Sequence, residues 1–292
     1  MSRHARAAAI AVALAAAAIS PQAGAQTAAP PVLPRTNPPA TITQRIGVTD
    51  VTVKYGRPAM KGRAIFGALV PYDQLWRTGA DEATTLTADT PFTVNGAAVP
   101  AGTYALFTIP SRGTWTVILD RQAAQWGSYS HRAGDEVARV TVTPAALERP
   151  VESLTFTFDD VTADAATLHV AWERTRVPIR LGVETVALAV PRLEAALAAD
   201  GRRPYFQAAM FYFENGLDLE KAAAWMALAL EDAPGHIGML YRQALILEKK
   251  GDRAGAIAAA RQSLAGAAGE KQELRDEYTR LNTALLARLG VR

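Results

Sequence analysis

Short runs of alternating apolar and polar residues dominate the chain between residues 41 and 184. The first clear run covers residues 48–55, and residues 84–119 hold several more, separated by turn residues. Period-two alternation in segments rich in Thr and Val predicts β-strands. Asn95-Gly96 directly follows one run, and this dipeptide tolerates the positive φ angles of a tight hairpin turn. The pattern therefore predicts antiparallel strands joined by short turns.

Two of these runs, residues 104–109 and 114–120, carry large apolar side chains on both faces. In the first run, Leu106 points to one face while Phe107 points to the other. A sheet with one face in water does not need this arrangement. We therefore expect both strands to lie centrally, with their second face covered by long loops or by the tail of the chain.

Later runs alternate more simply and bury one face each. They cover residues 138–142, 154–158, 168–172 and 177–183. A series of short strands with turn signals and no helical pattern between them is typical of β-sandwiches and jelly rolls. The sequence therefore predicts an antiparallel, jelly-roll-like β-sandwich domain over residues 41–184.

From Pro191 onward the apolar period becomes helical, and an internal repeat appears. Asp218, Ala222 and Leu230 recur as Asp252, Ala256 and Leu264, at a constant offset of 34 residues. This offset resembles that of tetratricopeptide repeats, and Pro234 stands where that motif ends its second helix. We predict an all-α, tetratricopeptide-like domain over residues 185–292, with the helices around 191–199 and 271–289 capping two repeats or the β domain completing their packing.

The first residues read as a secretory signal peptide. Basic Arg3 and Arg6 precede an apolar run over residues 7–19, and a small-residue site ends at Ala25. The apolar run is shorter than the ~20 residues of a membrane-spanning helix, although an uncleaved anchor is the alternative. We predict a signal peptide over residues 1–25, a Pro-rich linker over 26–40, a periplasmic or secreted product, and no integral membrane segment after cleavage.

Composition excludes several kinds of chemistry. The chain contains no Cys, which rules out disulfides, thiolate metal sites and Cys nucleophiles. The formal net charge of +3 includes Arg3 and Arg6, so the chain after residue 25 carries +1, too little to attract nucleic acid. His131, His169 and His236 are isolated in the sequence, and no phosphate-binding or dinucleotide motif is present. We expect no metal, no cofactor and no nucleic-acid partner.

The candidate site lies in two stretches that lack regular periodicity and combine basic, acidic and aromatic residues. Its members are Arg57, Lys61, Arg63, Trp76, Arg77, Glu82, Trp126 and Tyr129. Long ordered loops are uncommon and often functional. Arg grips carboxylates in a bidentate manner, and exposed aromatic rings suit flat apolar or sugar-like faces. The alternative interpretation is a structural one, in which these charges pair with one another and pin the loops to the sheet.

Several long phrases resemble the bacterial family catalogued as domain of unknown function 2911. They are YGRPAMKGRAIFGALVPYDQLWRTGADEAT, PAGTYALFTIP and WTVILDRQAAQWGSY, and the later YFQAAMFYFENGLDLEKAAAWM resembles the helical tail of longer members. The resemblance implies an exported, periplasmic bacterial protein. The eight candidate residues match the family's phrases, whereas Asp81 stands where the family has Asn, which weakens a catalytic role for a carboxylate there.

Two functions remain open at this point. The first is a binding or scaffold module, whose loops hold a small polar or anionic ligand and whose helical repeats hold a protein or peptide partner. The second is a hydrolase or lyase acting on a polar saccharide or ester, with Asp81 or Glu82 and Asp135 or Glu136 as general acid and base. Two carboxylates facing each other across an open cleft would favour the hydrolase or lyase, whereas carboxylates paired with Arg57 or Arg77 would favour the binding module.

Overall fold

The structure is a computed structural model that describes residues 33–291. The predicted signal peptide, residues 1–25, and the first part of the predicted linker, residues 26–32, lie outside the described residues. Within residues 33–291, no helix is both long and apolar enough to cross a membrane.

Ten strands form two antiparallel sheets within the described residues. The six-stranded sheet has the order β1-β2-β3-β6-β7-β8, and the four-stranded sheet has the order β5-β4-β10-β9. The strands are β1 Pro39–Ile46, β2 Thr49–Gly56, β3 Thr85–Ala88, β4 Phe92–Val94, β5 Ala97–Val99, β6 Gly102–Ile109, β7 Trp115–Asp120, β8 Glu136–Val142, β9 Ala145–Asp159 and β10 Ala165–Gly182.

One hydrophobic cluster contains residues from both sheets. Val53 of β2 and Leu106 of β6 belong to it, as do Val94 of β4, Phe156 of β9 and Val170 of β10. Period-two alternation places these side chains on the same buried face of their strands. The buried face of each sheet therefore contributes to a shared core.

The strands with two apolar faces occupy the interior of the larger sheet, as the sequence predicts. β6 and β7 lie between β3 and β8. Phe107 and Ile118 form a second, smaller cluster on the opposite face, and residues of the long loop before β3, Leu75 and Ala83, cover it. Loop residues thus shield the second face of these strands.

The structure departs from the sequence prediction at β1 and at β10. β1 begins at Pro39, inside the predicted linker, because residues 39–40 pair with the end of β2. The segments 168–172 and 177–183, predicted as separate strands, form one strand, β10. β10 continues through the polar segment between them by a bulge at Glu173, whose φ is 53°.

The predicted hairpin turn at Asn95-Gly96 is present. It joins β4 to β5, with Val94 paired to Ala97. Both turn residues have positive φ, 47° and 87°, as a type I′ turn requires.

Six helices follow the strands within the described residues, so the predicted order of a β part and then an α part is confirmed. They are α1 Thr185–Ala198, α2 Tyr205–Glu214, α3 Leu219–Glu231, α4 Ile237–Lys250, α5 Arg253–Ala267 and α6 Gln272–Arg288. Asp218 caps α3 by accepting hydrogen bonds from two backbone N–H groups, and Asp252 caps α5 by accepting one. The repeated aspartates of the sequence therefore set equivalent helix starts.

The last strand passes into the first helix through a tightly packed junction. The hydroxyl of Thr185, the first residue of α1, donates a hydrogen bond to the carbonyl of Ala163 in the turn between β9 and β10. Gly47, in the turn between β1 and β2, faces the same hydroxyl so closely that a Cβ there would lie 1.9 Å from it. The beginning of α1 is thus fixed against two turns of the sheets.

Candidate functional site

A cavity of about 470 Å³, here called the loop pocket, opens among the irregular segments that follow β2 and β7. It is lined by Asn37, Pro58, Arg63, Leu69, Val70, Pro71, Gln74, Leu75, Trp76, Arg77, Gly79, Ala80, Ser128, Tyr129 and Trp172. Two of these residues are arginines, and none is Asp or Glu. The charged groups at its wall are therefore cationic.

The loop that carries Arg77 is attached to the large sheet at both ends. The N–H of Trp76 donates to the carbonyl of Thr108 (2.8 Å), and the N–H of Thr108 donates back to Trp76 (2.9 Å). The N–H of Thr84 donates to the carbonyl of Arg77 (3.2 Å) and closes the loop. The Trp76–Thr108 pairing is an isolated antiparallel bridge between the loop and β6. Together these bonds fix the backbone on both sides of Arg77.

Thr78, next to Arg77, has a left-handed backbone conformation with a φ of 52°. β-Branched residues rarely adopt it, and the strain is on the order of 1–3 kcal/mol. Thr78 is fully buried, its hydroxyl lies 3.1 Å from that of Thr108, and its carbonyl accepts a hydrogen bond from the hydroxyl of Thr84 (2.9 Å). The surrounding structure therefore holds a strained backbone next to a pocket residue.

Two glycines let this loop approach β2. A Cβ on Gly56, the last residue of β2, would lie 2.2 Å from the carbonyl oxygen of Ala80. A Cβ on Gly79 would lie 3.3 Å from the carbonyl oxygen of Gly56 and 2.6 Å from the hydroxyl of Thr84. The distances of 2.2 and 2.6 Å are shorter than any normal contact, so only glycine permits this packing.

Arg77 is the half-buried cation of the loop pocket. Its Nε is buried and has no hydrogen-bond partner among residues 33–291. A buried donor attached to a charged group costs free energy when it is left unsatisfied. The fold thus places at the pocket wall a half-buried guanidinium whose Nε is not satisfied within residues 33–291.

Arg63 lines the same pocket, and its guanidinium donates two hydrogen bonds to backbone carbonyls. Its Nε donates to the carbonyl of Met60 (2.9 Å), and Nη2 donates to the carbonyl of Ala59 (2.7 Å). These bonds to its own loop fix the position of the side chain without neutralising its charge. Arg63 therefore adds positive charge at the wall of the pocket.

Stacked aromatic rings form the floor of the pocket. The indole of Trp76 stacks on that of Trp172, with centroids 5.9 Å apart and an angle of 21° between the planes. Phe66 packs edge-on against both rings. Nε1 of Trp76 donates to the carbonyl of Gly79 (3.1 Å), so the ring also supports the loop that carries Arg77.

The second loop, residues 121–135, brings Tyr129 to the pocket. Its phenol ring lies against Gly127 and is 82% exposed. Backbone hydrogen bonds join the two loops: the N–H of Ala83 donates to Gln125 (3.0 Å), and that of Gly127 donates to Asp81 (3.0 Å). The two candidate stretches of the sequence therefore meet.

Four of the eight predicted site residues do not line the pocket. Arg57 points to β9, where it donates to the carbonyl of Leu154 (3.1 Å) and the hydroxyl of Thr155 (3.0 Å). Lys61 is exposed, and its backbone N–H donates to the carboxylate of Glu152 (2.9 Å). Glu82 and Trp126 pair through their backbones where the two loops join, and both side chains are exposed.

A charged cluster that the sequence analysis missed fixes the second loop. Nδ1 of His131 lies 2.6 Å from a carboxylate oxygen of the fully buried Asp120, and Nε2 lies 3.2 Å from the carboxylate of Glu136. The guanidinium of Arg139 donates two hydrogen bonds to Glu136, and this contact lowers the pKa of the Glu136 carboxyl. Asp120 is 11 residues from His131 in the sequence, and the fold brings the two side chains together.

The carboxylates of the hydrolase alternative do not face the loop pocket. Asp81 and Glu82 are absent from its wall, and so are Asp135 and Glu136. The Asn37 side-chain amide lies 3.4 Å from both carboxylate oxygens of Asp81. Glu136 is engaged by Arg139 and His131. Within residues 33–291 no cluster of three His, Cys, Asp or Glu side chains has an arrangement suited to a metal ion.

Comparison with known proteins identifies one family. Residues 37–181 match the family described as "Protein of unknown function (DUF2911)". The matched segment contains β1 to nearly the end of β10 and every residue of the loop pocket. No curated protein and no solved structure matches the chain.

Proposed function

We propose that this chain, whose resemblance to the DUF2911 family is confirmed over residues 37–181, is an exported bacterial binding module that takes a small anionic ligand in the loop pocket. The observation that carries the proposal is the half-buried guanidinium of Arg77 at the wall of a pocket that contains no Asp or Glu among residues 33–291. An anionic ligand would accept a charge-assisted hydrogen bond from this guanidinium.

The rigidity of the loop supports a binding role. The loop that carries Arg77 contains a strained neighbour, Thr78, and packs closely against Gly56 through Ala80. Strain of this kind persists where the surrounding structure enforces it, and it clusters at ligand clamps and other functional sites. A guanidinium that is already in position loses little conformational entropy when the ligand arrives.

Hydrolysis has less support than binding. General acid–base catalysis requires a titratable group within hydrogen-bond reach of the substrate. None of the carboxylates considered for this role lines the pocket, and the Glu136 carboxylate accepts hydrogen bonds from Arg139 and lies 3.2 Å from Nε2 of His131. A ligand in the loop pocket would therefore meet hydrogen-bond donors and aromatic rings rather than a carboxylate pair.

The binding proposal is tested by isothermal titration calorimetry with a panel of small organic and inorganic anions. Arg77→Gln should weaken binding of any ligand found by about 10-fold or more, because a hydrogen bond to a charged group is worth about 1.5–3 kcal/mol. Arg57→Gln is the matched control: it removes the same charge from the same loop but outside the pocket wall. Equal losses in both variants, or no ligand in the panel, would contradict the proposal.

We also propose that the β part is a jelly-roll-like sandwich and that the helices form a tetratricopeptide-like array. The shared core of the two sheets supports the first. Ala222 of α3 and Ala256 of α5 support the second, since they are 34 residues apart and both fully buried. Small residues at equivalent positions let neighbouring helices pack closely.

The helical part is proposed to bind a protein or peptide partner. Arg242 of α4 lies 5.9 Å from the ring centroid of Phe206 in α2 and 3.5 Å from the hydroxyl of Tyr278 in α6. These side chains form one basic and aromatic surface across alternate helices. A photoreactive residue at position 206 should crosslink to the partner, and the same residue at Leu274, exposed on α6, should not.

Export is proposed from the signal-like sequence of residues 1–25. In a bacterial host, the full chain should accumulate outside the cytoplasm, and a chain that lacks residues 2–25 should remain inside. Equal distribution of the two chains after fractionation would contradict export through this segment.

A further inference from the structure

Exposed aromatic side chains concentrate at one place on the described surface. The large hydrophobic side chains that are exposed within residues 33–291 include two aromatic ones, Trp126 at 57% and Tyr129 at 82% exposure. Both belong to the loop 121–135, which borders the loop pocket. Large rings left in water beside a cavity suit a ligand that stacks on them.

Polar side chains complete the wall of the pocket. Asn37 and Gln74 supply amides, and Ser128 supplies a hydroxyl, in addition to the guanidinium groups of Arg63 and Arg77. Amides and hydroxyls both donate and accept hydrogen bonds, so they match hydroxyl groups of a ligand. The pocket therefore offers three kinds of recognition at once: cationic, hydroxyl-binding and aromatic.

We infer that the anionic ligand is an acidic saccharide, with a sugar carboxylate on Arg77, its hydroxyl groups among the polar side chains and its C–H face on Tyr129. This inference rests on the proposed function and names its ligand class. A carboxylate is planar and pairs with the planar guanidinium through two parallel hydrogen bonds. A simple anion such as phosphate would use the charge of the pocket but leave the aromatic ring without a role.

The position of Trp126 extends the inference to more than one sugar unit. Trp126 is outside the pocket wall but stands three residues before Tyr129 on the same loop. A cavity of about 470 Å³ lies near the lower end of the usual range for small-ligand sites, about 300–1,000 Å³. One sugar unit in the pocket would leave Trp126 available to the next unit of an oligosaccharide.

The test is calorimetry with D-galacturonate, its trimer, neutral D-galactose and the neutral galacturonamide. Galacturonate should bind at least about 10-fold more tightly than either neutral sugar, in line with one charge-assisted hydrogen bond. Tyr129→Ala should weaken both acidic ligands about 5-fold through loss of stacking, and Trp126→Ala should weaken the trimer alone. Arg57→Gln should change none of these affinities by more than about 2-fold, since it lies outside the pocket.

The possible results separate the acidic-saccharide inference from the anion-binding function on which it rests. Binding of phosphate, acetate or citrate that depends on Arg77, together with no binding of either uronate, would overturn the acidic saccharide and leave the anion site intact. Equal affinity for galacturonate and galacturonamide would also overturn it. No binding by any saccharide or any member of the anion panel, with all variants folded by circular dichroism, would overturn both.

Discussion

Gly56 determines how closely the loop of Arg77 packs against β2. Its backbone has no left-handed strain, so the consequence of adding a methyl group there is steric: the new Cβ would lie 2.2 Å from the carbonyl oxygen of Ala80. The loop must then move away from the strand. Since Arg77 lies on that loop, a change at Gly56 should shift Arg77, although Gly56 itself does not line the pocket.

We predict that Gly56→Ala lowers the free energy of unfolding by about 1–3 kcal/mol, the usual cost of overpacking. Affinity for the pocket ligand should fall as well. Gly113→Ala is the control, because a Cβ there meets nothing within 4 Å. Urea unfolding measures the first effect; a Gly56→Ala protein as stable as Gly113→Ala would show that the loop adjusts freely.

His169 provides a pH-dependent contribution to stability. Burial, and then the positive charge of Arg176, lower the pKa of this imidazole, although Asp159 lies 3.4 Å away and acts in the opposite direction. Its Nδ1 is buried and has no partner among residues 33–291. The neutral ring is therefore the form that the folded protein favours.

We predict that His169 makes the fold less stable as the pH falls below about 6.5, the ordinary pKa of His. In that range the unfolded chain binds a proton that the folded chain takes up only at lower pH, so stability is present above this pH and is lost below it. His169→Gln should reduce the change in unfolding free energy between pH 7 and pH 5. An unchanged pH profile would contradict the assignment.

At the scale of single residues, the sequence proposes candidate side chains but does not predict where they point. Arg57 and Arg77 are both predicted site residues, yet Arg57 reaches β9 and Arg77 lines the pocket. The difference comes from Thr78 and Gly56, whose backbone geometry directs the loop. No composition or period carries that information, because a left-handed threonine looks ordinary in a sequence.

At the scale of elements, the loop 121–135 is held by contacts between His131 and two carboxylates. Asp120 ends β7 and Glu136 begins β8, and His131 within the loop contacts both carboxylates. A fully buried carboxylate needs such a partner, because an uncompensated charge in the interior is costly. The loop that holds Tyr129 is therefore fixed from beneath by the strands on either side.

We predict that His131→Phe lowers the free energy of unfolding by about 2–3 kcal/mol, since it removes the imidazole that contacts the buried carboxylate of Asp120. The variant should also weaken ligand binding through the position of Tyr129. Arg139→Gln removes only the exposed side of the same cluster and should cost less than about 1 kcal/mol. Chemical denaturation measures the unfolding free energy of both variants. A larger loss of stability in Arg139→Gln than in His131→Phe would contradict the prediction.

The elements themselves follow largely from the sequence. Alternation predicts β6 and β7 as interior strands, and the repeated Asp218 and Asp252 mark two helix starts. The continuity of β10 was not predictable, because the polar residues between its two apolar halves look like a turn. Pairing with β9 carries that segment through as strand, and a bulge at Glu173 absorbs the irregularity.

On the scale of the whole molecule, the strand and helix parts meet at Thr185. Its hydroxyl donates to the carbonyl of Ala163, and Gly47 leaves room for it. The change from period two to helical period predicts this boundary. The contacts that fix it are between residues distant in sequence, which no local pattern reveals.

We predict that Thr185→Val, which keeps the shape but removes the hydroxyl, lowers the free energy of unfolding by about 0.5–1.5 kcal/mol. Thr157→Val on β9 is the control, since Thr157 is exposed and its hydroxyl has no hydrogen bond recorded within residues 33–291. Far-ultraviolet circular dichroism during thermal unfolding measures both. A Thr185→Val protein that melts with the Thr157→Val protein would show that the junction contributes nothing.

The loop pocket draws its wall from positions as distant in the chain as Asn37 and Trp172. An unfolded chain cannot assemble such a wall, so an occupant would bind native molecules alone. At a free concentration of about 100 times its Kd, that preference adds about 2.7 kcal/mol to stability. Proteases degrade the unfolded population first, and the abundance of this protein would therefore rise and fall with the supply of its ligand.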